Sequence, residues 1–180
     1  MPTSSRMPEV PVITLVALAW EGTTRSAAET GELGARLAAV ARPGDRIGLI
    51  GDLGAGKTVF ARGFAHGLGV RAVVSSPSFT LMQEYTGRLP LFHMDVYRLA
   101  GSEDALAGGL LDERQEDGVC LIEWADRLDG PLAVLDAMVR IEGASGEDRR
   151  IRVVAPDTSG SRFVEAARAI GARPDEVPGA

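Results

Sequence analysis

Eight consecutive residues carry the clearest chemistry in the chain: Gly51-Asp52-Leu53-Gly54-Ala55-Gly56-Lys57-Thr58. They fit G-x-x-x-x-G-K-[ST] at every fixed position. Glycines let the main chain turn sharply, so backbone N–H groups can converge on phosphate oxygens. In such a loop Lys57 reaches the β- and γ-phosphates as a mobile charge, and the Thr58 hydroxyl ligates Mg²⁺. A second stretch, Val119-Cys120-Leu121-Ile122-Glu123, is an apolar run that closes on an acid. Ligands of parallel sheets gather beyond the carboxyl ends of the strands. Glu123 is therefore placed to hold Mg²⁺ beside Thr58, where the usual acid is Asp.

The flanking elements must position these groups. Arg46–Ile50 reads as a buried strand entering the loop. Val59 to Leu68 reads as a helix leaving it, with Phe60, Phe64 and Leu68 on one face and Gly69 as the stop. A strand before and a helix after add the positive end of a helix dipole to the loop. Upstream, Ser26-Ala27-Ala28-Glu29 has capping-box spacing. It opens a helix with Thr30, Leu33, Leu37 and Val40 on one face, closed by Pro43-Gly44.

Downstream, Val73-Val74 reads as a short strand, and Ser76-Pro77-Ser78 is extended because proline biases its predecessor away from helix. Phe79–Tyr85 and Leu89–Leu99 read as a hairpin around Thr86-Gly87-Arg88. Alternation puts His93, Asp95 and Tyr97 on one face and Phe92, Met94 and Val96 on the other. An acid, an imidazole and a phenol together suggest a working face, but from alternation alone the polar set is expected to be a solvated outer face. Ser102 to Leu106 starts a short helix that Gly108-Gly109 interrupts. Leu132–Glu142 and Arg149–Ala155 read as two antiparallel strands joined by a turn over 143–148.

The fold class that follows is α/β. It is a P-loop NTPase with a mixed, mainly parallel-core sheet flanked by helices, an antiparallel hairpin and antiparallel C-terminal edge strands. The domain reading is a flexible N-terminus over 1–8, one ATPase domain over 9–156, and a polar tail over 157–180 with a short helix at Arg162–Ile170. Val10–Trp20 is read as an edge strand. Glu9 and two prolines before a short apolar core argue against a secretory leader, so the expected location is cytoplasmic. No run reaches the ~18 apolar residues of a membrane span.

The chain has 180 residues, enough for one domain with a full core. Its net charge of −6 makes it a poor nucleic-acid binder on its own, since phosphate backbones demand Lys/Arg patches. If RNA is involved, a partner holds it. The single cysteine, Cys120, excludes an internal disulfide and reads as a core residue. Two histidines and one cysteine argue against structural zinc. No N-K-x-D element marks GTP specificity, so ATP is favoured. A small-molecule kinase is the alternative; it would need an acceptor pocket and an arginine-bearing lid, and no lid-like segment is evident.

Four elements in order complete a more specific pattern. After the loop come Ser76-Pro77-Ser78-Phe79-Thr80-Leu81, then His93-Met94-Asp95-Val96-Tyr97-Arg98-Leu99, then Ile122-Glu123-Trp124. From about Ser26 to Ala155 the chain resembles the TsaE (YjeE) family, the bacterial ATPase of tRNA threonylcarbamoyladenosine formation. Val59, Ser78 and Met94 depart from the common Thr, Thr and Phe of that family. The resemblance implies a subunit that binds and slowly hydrolyses ATP with Mg²⁺. It would act with TsaB and TsaD, which transfer threonylcarbamoyl to adenosine 37 of tRNAs reading codons that begin with A. The hydrolysis cycle would reset that complex, and tRNA would be met only through the partners. Carried onto this chain, Leu53, Gly54, Ala55, Gly56, Lys57 and Thr58 cradle the phosphates, and Thr58 with Glu123 holds Mg²⁺. Asp95 matches a functionally important acid, either orienting water or shaping the metal's surroundings. Ser76 to Thr80 occupies the place of a nucleotide-sensitive switch. Trp124 is either a partner contact or core. The adenine pocket is expected between Ser26 and Gly146.

Overall fold

The computed structural model describes residues 18–99, 104, 113–143 and 146–169. Among them, seven strands form one sheet: β1 (Leu18–Thr24), β2 (Arg46–Ile50), β3 (Met82–Tyr85), β4 (Leu91–Asp95), β5 (Val119–Glu123), β6 (Ala137–Gly143) and β7 (Arg149–Ala155). Their order across the sheet is β1-β7-β6-β2-β5-β4-β3. The central strands β6, β2, β5 and β4 run parallel. β3 adds antiparallel to one side, and β7 with β1 adds antiparallel to the other. The expected mixed sheet with a parallel core is the one observed.

Three α-helices, α1 (Ala27–Ala39), α2 (Lys57–Gly67) and α3 (Ser161–Arg168), share one core with the sheet. Leu33 and Leu37 of α1, Phe60 and Phe64 of α2, and Phe163 of α3 meet Leu91, Leu121 and Val139 there. Phe92, Met94, Cys120 and Ile122 join Ile50 and Leu135 in a second cluster. Strand alternation assigns the two clusters to opposite faces of the sheet. β4 and β5 are therefore buried on both faces, which is why they read as continuous apolar runs. Burial pushes the Cys120 thiol up to about 12, against a weaker opposing pull from Arg46.

The cap of α1 forms as its spacing predicts. Ser26 Oγ accepts from Glu29 N–H at 3.1 Å, while the Glu29 carboxylate accepts from Arg25 N–H at 2.7 Å, one residue earlier than a standard capping box. α1 and α2 pack backbone to backbone. A Cβ on Gly63 would lie 1.9 Å from the Gly31 carbonyl oxygen, so only glycine permits the approach. That contact fixes where the start of α2 points.

Several expectations are corrected. Val73-Val74 forms no strand; Val74 turns into the core while Val73 is 90% exposed. β3 starts at Met82 because Ser78–Thr80 turn, with Thr80 and Leu81 N–H both donating to the Pro77 carbonyl. β4 stops at Asp95, and Tyr97 lies in the following turn. β6 starts at Ala137, since Gly130–Ala133 is a 3-10 turn. The edge strand β1 runs from Leu18 to Thr24; most of the expected Val10–Trp20 strand lies outside the described residues. The helix expected from Ser102 also lies outside them, apart from Asp104. α3 buries Phe163, Val164 and Ala167 completely, and Arg162 pairs with Asp45.

Candidate functional site

β2 delivers the chain into the glycine-rich loop, and α2 begins at Lys57. The residue before the helix is Gly56, at φ 112°, a left-handed conformation that a side chain would resist. No side chain caps α2. Its first backbone N–H groups therefore lack a side-chain acceptor and face the loop's concavity, the arrangement that anions occupy at helix starts. At the loop's tip Leu53 is 91% exposed.

Lys57 is buried and folded back onto its own loop. Its Nζ donates to the Gly51 carbonyl at 2.6 Å and to the Asp52 carbonyl at 2.9 Å. It also lies 3.7 Å from the centroid of the Trp124 ring, a cation–π contact. Burial draws its pKa below the usual lysine range. Glu123 opposes that most strongly, followed by Asp95, Asp126 and Asp52.

The parallel pairing of β4 and β5 puts Asp95 directly beside Glu123, both at the carboxyl ends of their strands. Alternation directs both side chains to the helix face. The expectation of a solvated face is thus overturned for His93, which is fully buried, and for Asp95, which is nearly so, because helices cover this side of the sheet; Tyr97, in the turn beyond β4, stays half exposed. His93 Nε2 and Glu123 Oε1 are 2.9 Å apart. Asp95 Oδ2 accepts from Ser76 Oγ at 3.0 Å and Ser78 Oγ at 2.8 Å; Oδ1 accepts from Tyr97 N–H at 2.9 Å. Asp95 thereby ties the Ser76–Thr80 segment to the sheet.

These groups converge. One cavity of about 340 Å³ is lined by Gly56, Lys57 and Thr58 on one side and by Ser76, Asp95 and Glu123 on the other. Leu53 and Gly54 border it too. Ala55 is buried behind the loop, its carbonyl accepting from Arg149 Nε at 2.9 Å. Thr58 and Glu123 thus share one space. A smaller cavity of about 150 Å³ adjoins Gly54 and Gly56 and extends to Ala27, Thr30, Glu147 and Arg149. It lies between the start of α1 and the Gly146 turn.

Sequence reasoning missed three participants. The sequence offers Trp124 only as core or partner contact, yet its ring lies against the Lys57 ammonium. Its backbone is left-handed, at φ 63°, which is unusual for a bulky residue and throws the ring across the loop. The Tyr97 ring lies against it, tilted by 47° with centroids 4.7 Å apart, and Arg127 lies 4.5 Å from the Tyr97 ring. Arg149 braces the loop from β7. The adjacency of Trp124 to Glu123 was the available signal; nothing local marked Arg127 or Arg149.

Comparison with protein families matches residues 24–151 to TsaE, described as threonylcarbamoyl adenosine biosynthesis protein TsaE. The chain belongs to the TsaE family. Three relatives bear the name tRNA threonylcarbamoyladenosine biosynthesis protein TsaE. That of Bacillus subtilis is 44% identical, covering 71% of this chain and 80% of its own length. Those of Treponema pallidum and Streptomyces coelicolor are 39% and 38% identical, covering 72% and 75% of this chain and 96% and 94% of their own lengths. A crystal structure of Bacillus subtilis YdiB superposes with a TM-score of 0.68 at 36% identity, covering 86% of this chain and 97% of that one. As a TsaE family member, the protein has its role in threonylcarbamoyladenosine biosynthesis. None of the helices among the described residues is long and apolar enough to cross a membrane.

Proposed function

We propose that the protein is a slow, Mg²⁺-dependent ATPase that acts with TsaB and TsaD, resetting them between rounds of threonylcarbamoyl transfer to adenosine 37 of tRNA. It does not itself carry out the transfer, and it works in the cytoplasm. The observation that carries the reading is the convergence of an uncapped helix start, Lys57, Thr58, Asp95 and Glu123 on one cavity. The net charge of −6 supports leaving tRNA to the partners.

Each residue has a task in this reading. Backbone N–H groups from Leu53 to Thr58 bind the phosphates, and Lys57 leaves the Gly51 and Asp52 carbonyls to meet the β- and γ-oxygens. Thr58 and Glu123 would hold Mg²⁺, which when bound would neutralise the charge that develops on the phosphates. Among the described residues no three His, Cys, Asp or Glu side chains form a metal cage, which suits an ion completed by phosphates and water. Asp95, which accepts from Ser76 and Ser78, couples phosphate occupancy to that segment and either orients water or shapes the metal's surroundings. The smaller cavity beside Arg149 takes the adenine end.

Lys57→Ala tests the site. Charge-assisted hydrogen bonds of about 1.5–3 kcal/mol predict a loss of ATP affinity on the order of 10- to 100-fold by calorimetry. Unchanged affinity would remove the site from this loop. Co-purification with TsaB and TsaD, with and without ATP, tests the partner role.

A further inference from the structure

We propose that His93 is a positioning residue for Glu123: through Nε2 it sets which carboxylate oxygen faces the cavity, and with it the site's affinity for a divalent cation. The inference rests on the reading of Glu123 as a magnesium ligand.

It starts from a mismatch between residue type and surroundings. His93 is fully buried in the middle of β4. On the same face, Leu91 precedes it by two positions and Leu121 is its partner across the strand pair; both are fully buried. An aliphatic residue would suit that position without the cost of stripping water from an imidazole. The ring's Nδ1 has no hydrogen-bond partner among the described residues, so no wider polar network explains it. Among the described residues, the ring's hydrogen bond joins Nε2 to Glu123 Oε1 at 2.9 Å. An ionised carboxylate only accepts, so Nε2 carries the hydrogen and donates it.

Glu123 needs such an anchor. It is 2% exposed and stands in register beside a second acid, Asp95. Of the acids acting on the Lys57 ammonium, Glu123 pulls hardest. A carboxylate free to turn would fold onto that ammonium and lose the ion. With Oε1 bound by His93, Oε2 would be left for an ion in the cavity that Glu123 lines. Partners behind a metal's direct ligands tune affinity in this way. Asp95 is held differently, by two serine hydroxyls and a backbone N–H, so the two neighbouring acids are steered independently.

The test compares H93L, which donates nothing and suits the apolar surroundings, with H93Q, whose amide N–H reaches the place of Nε2. ADP affinity in EDTA and in Mn²⁺, and the Mn²⁺ affinity of the ADP complex, are measured by calorimetry, and thermal unfolding confirms that each variant is folded. H93L is expected to lose about 10- to 100-fold in Mn²⁺ affinity while binding metal-free ADP as the wild type does. H93Q is expected to recover most of that loss. Should H93L not fold, H93N replaces it, since its amide is too short to reach Glu123. Wild-type Mn²⁺ affinity in the donor-less variant, or an equal loss in H93Q, would overturn the inference. An ADP affinity in the wild type that ignores Mn²⁺ would instead bring down the metal role of Glu123 itself.

Discussion

Strands β4 and β5 are buried along their whole length, whereas β6 and β7 alternate between core and solvent. Ala137, Val139 and Ile141 of β6 point inward while Arg140 and Glu142 point out; in β7, Ile151 and Val153 are buried while Arg150 and Arg152 are exposed. Both pairs have ordinary strand pairing. They differ in what their polar residues cost. On β6 and β7 a charge stays in water, and even Arg140 directly opposite Arg152 is tolerated. On β4 and β5 the polar residues are buried, and His93, Asp95 and Glu123 are each held by a partner, although His93 Nδ1 is left without one among the described residues. The flank supplies stability, and the centre supplies geometry.

Mutations can break that division or sharpen it. Phe163→Ala, in the helix over the antiparallel flank, should cost about 3–5 kcal/mol in urea denaturation with ATP affinity unchanged once folded. A coupled fall in affinity would show that flank and centre are not separable. Glu123→Gln should do the reverse. Hydrolysis should drop on the order of 10²–10³-fold, with stability little altered because the amide oxygen can still accept from His93. A large fall in melting temperature would mean that the pair is structural first. Ser26→Ala removes the cap of α1 and should cost about 1 kcal/mol, seen as a modest thermal shift. Smallest of all, Arg152→Ala should stay within about 0.5 kcal/mol of the wild type, since it leaves an exposed pair of like charges. A strong effect there would give the arginine face a role that its solvation does not suggest.

Much of this was legible along the chain. The loop, its helix and the acid at the end of β5 are local patterns, and each is where its spacing put it. The cap at Ser26 and the apolar stripe of α2 are equally local. The errors fell where burial is decided from a distance. Val73-Val74 has strand-forming residues but no neighbouring strand to pair with, so propensity was overridden. The His93 face looked solvated because alternation cannot say what covers a sheet; α1 and α2, packed through Gly31 and Gly63, cover it.

The amino-acid order by itself determined the phosphate loop, the alternation of strands and helices, and which acids end which strands, because each depends on residues within a few positions of one another. Only the tertiary structure decided that Asp95 and Glu123 stand side by side, that a buried imidazole holds one of them, and that Trp124 and Arg149 brace the loop from either side. Those groups lie tens of residues apart: the register of the parallel strands sets Asp95 beside Glu123 and His93 within a hydrogen bond of it, and the antiparallel flank carries Arg149 to the loop.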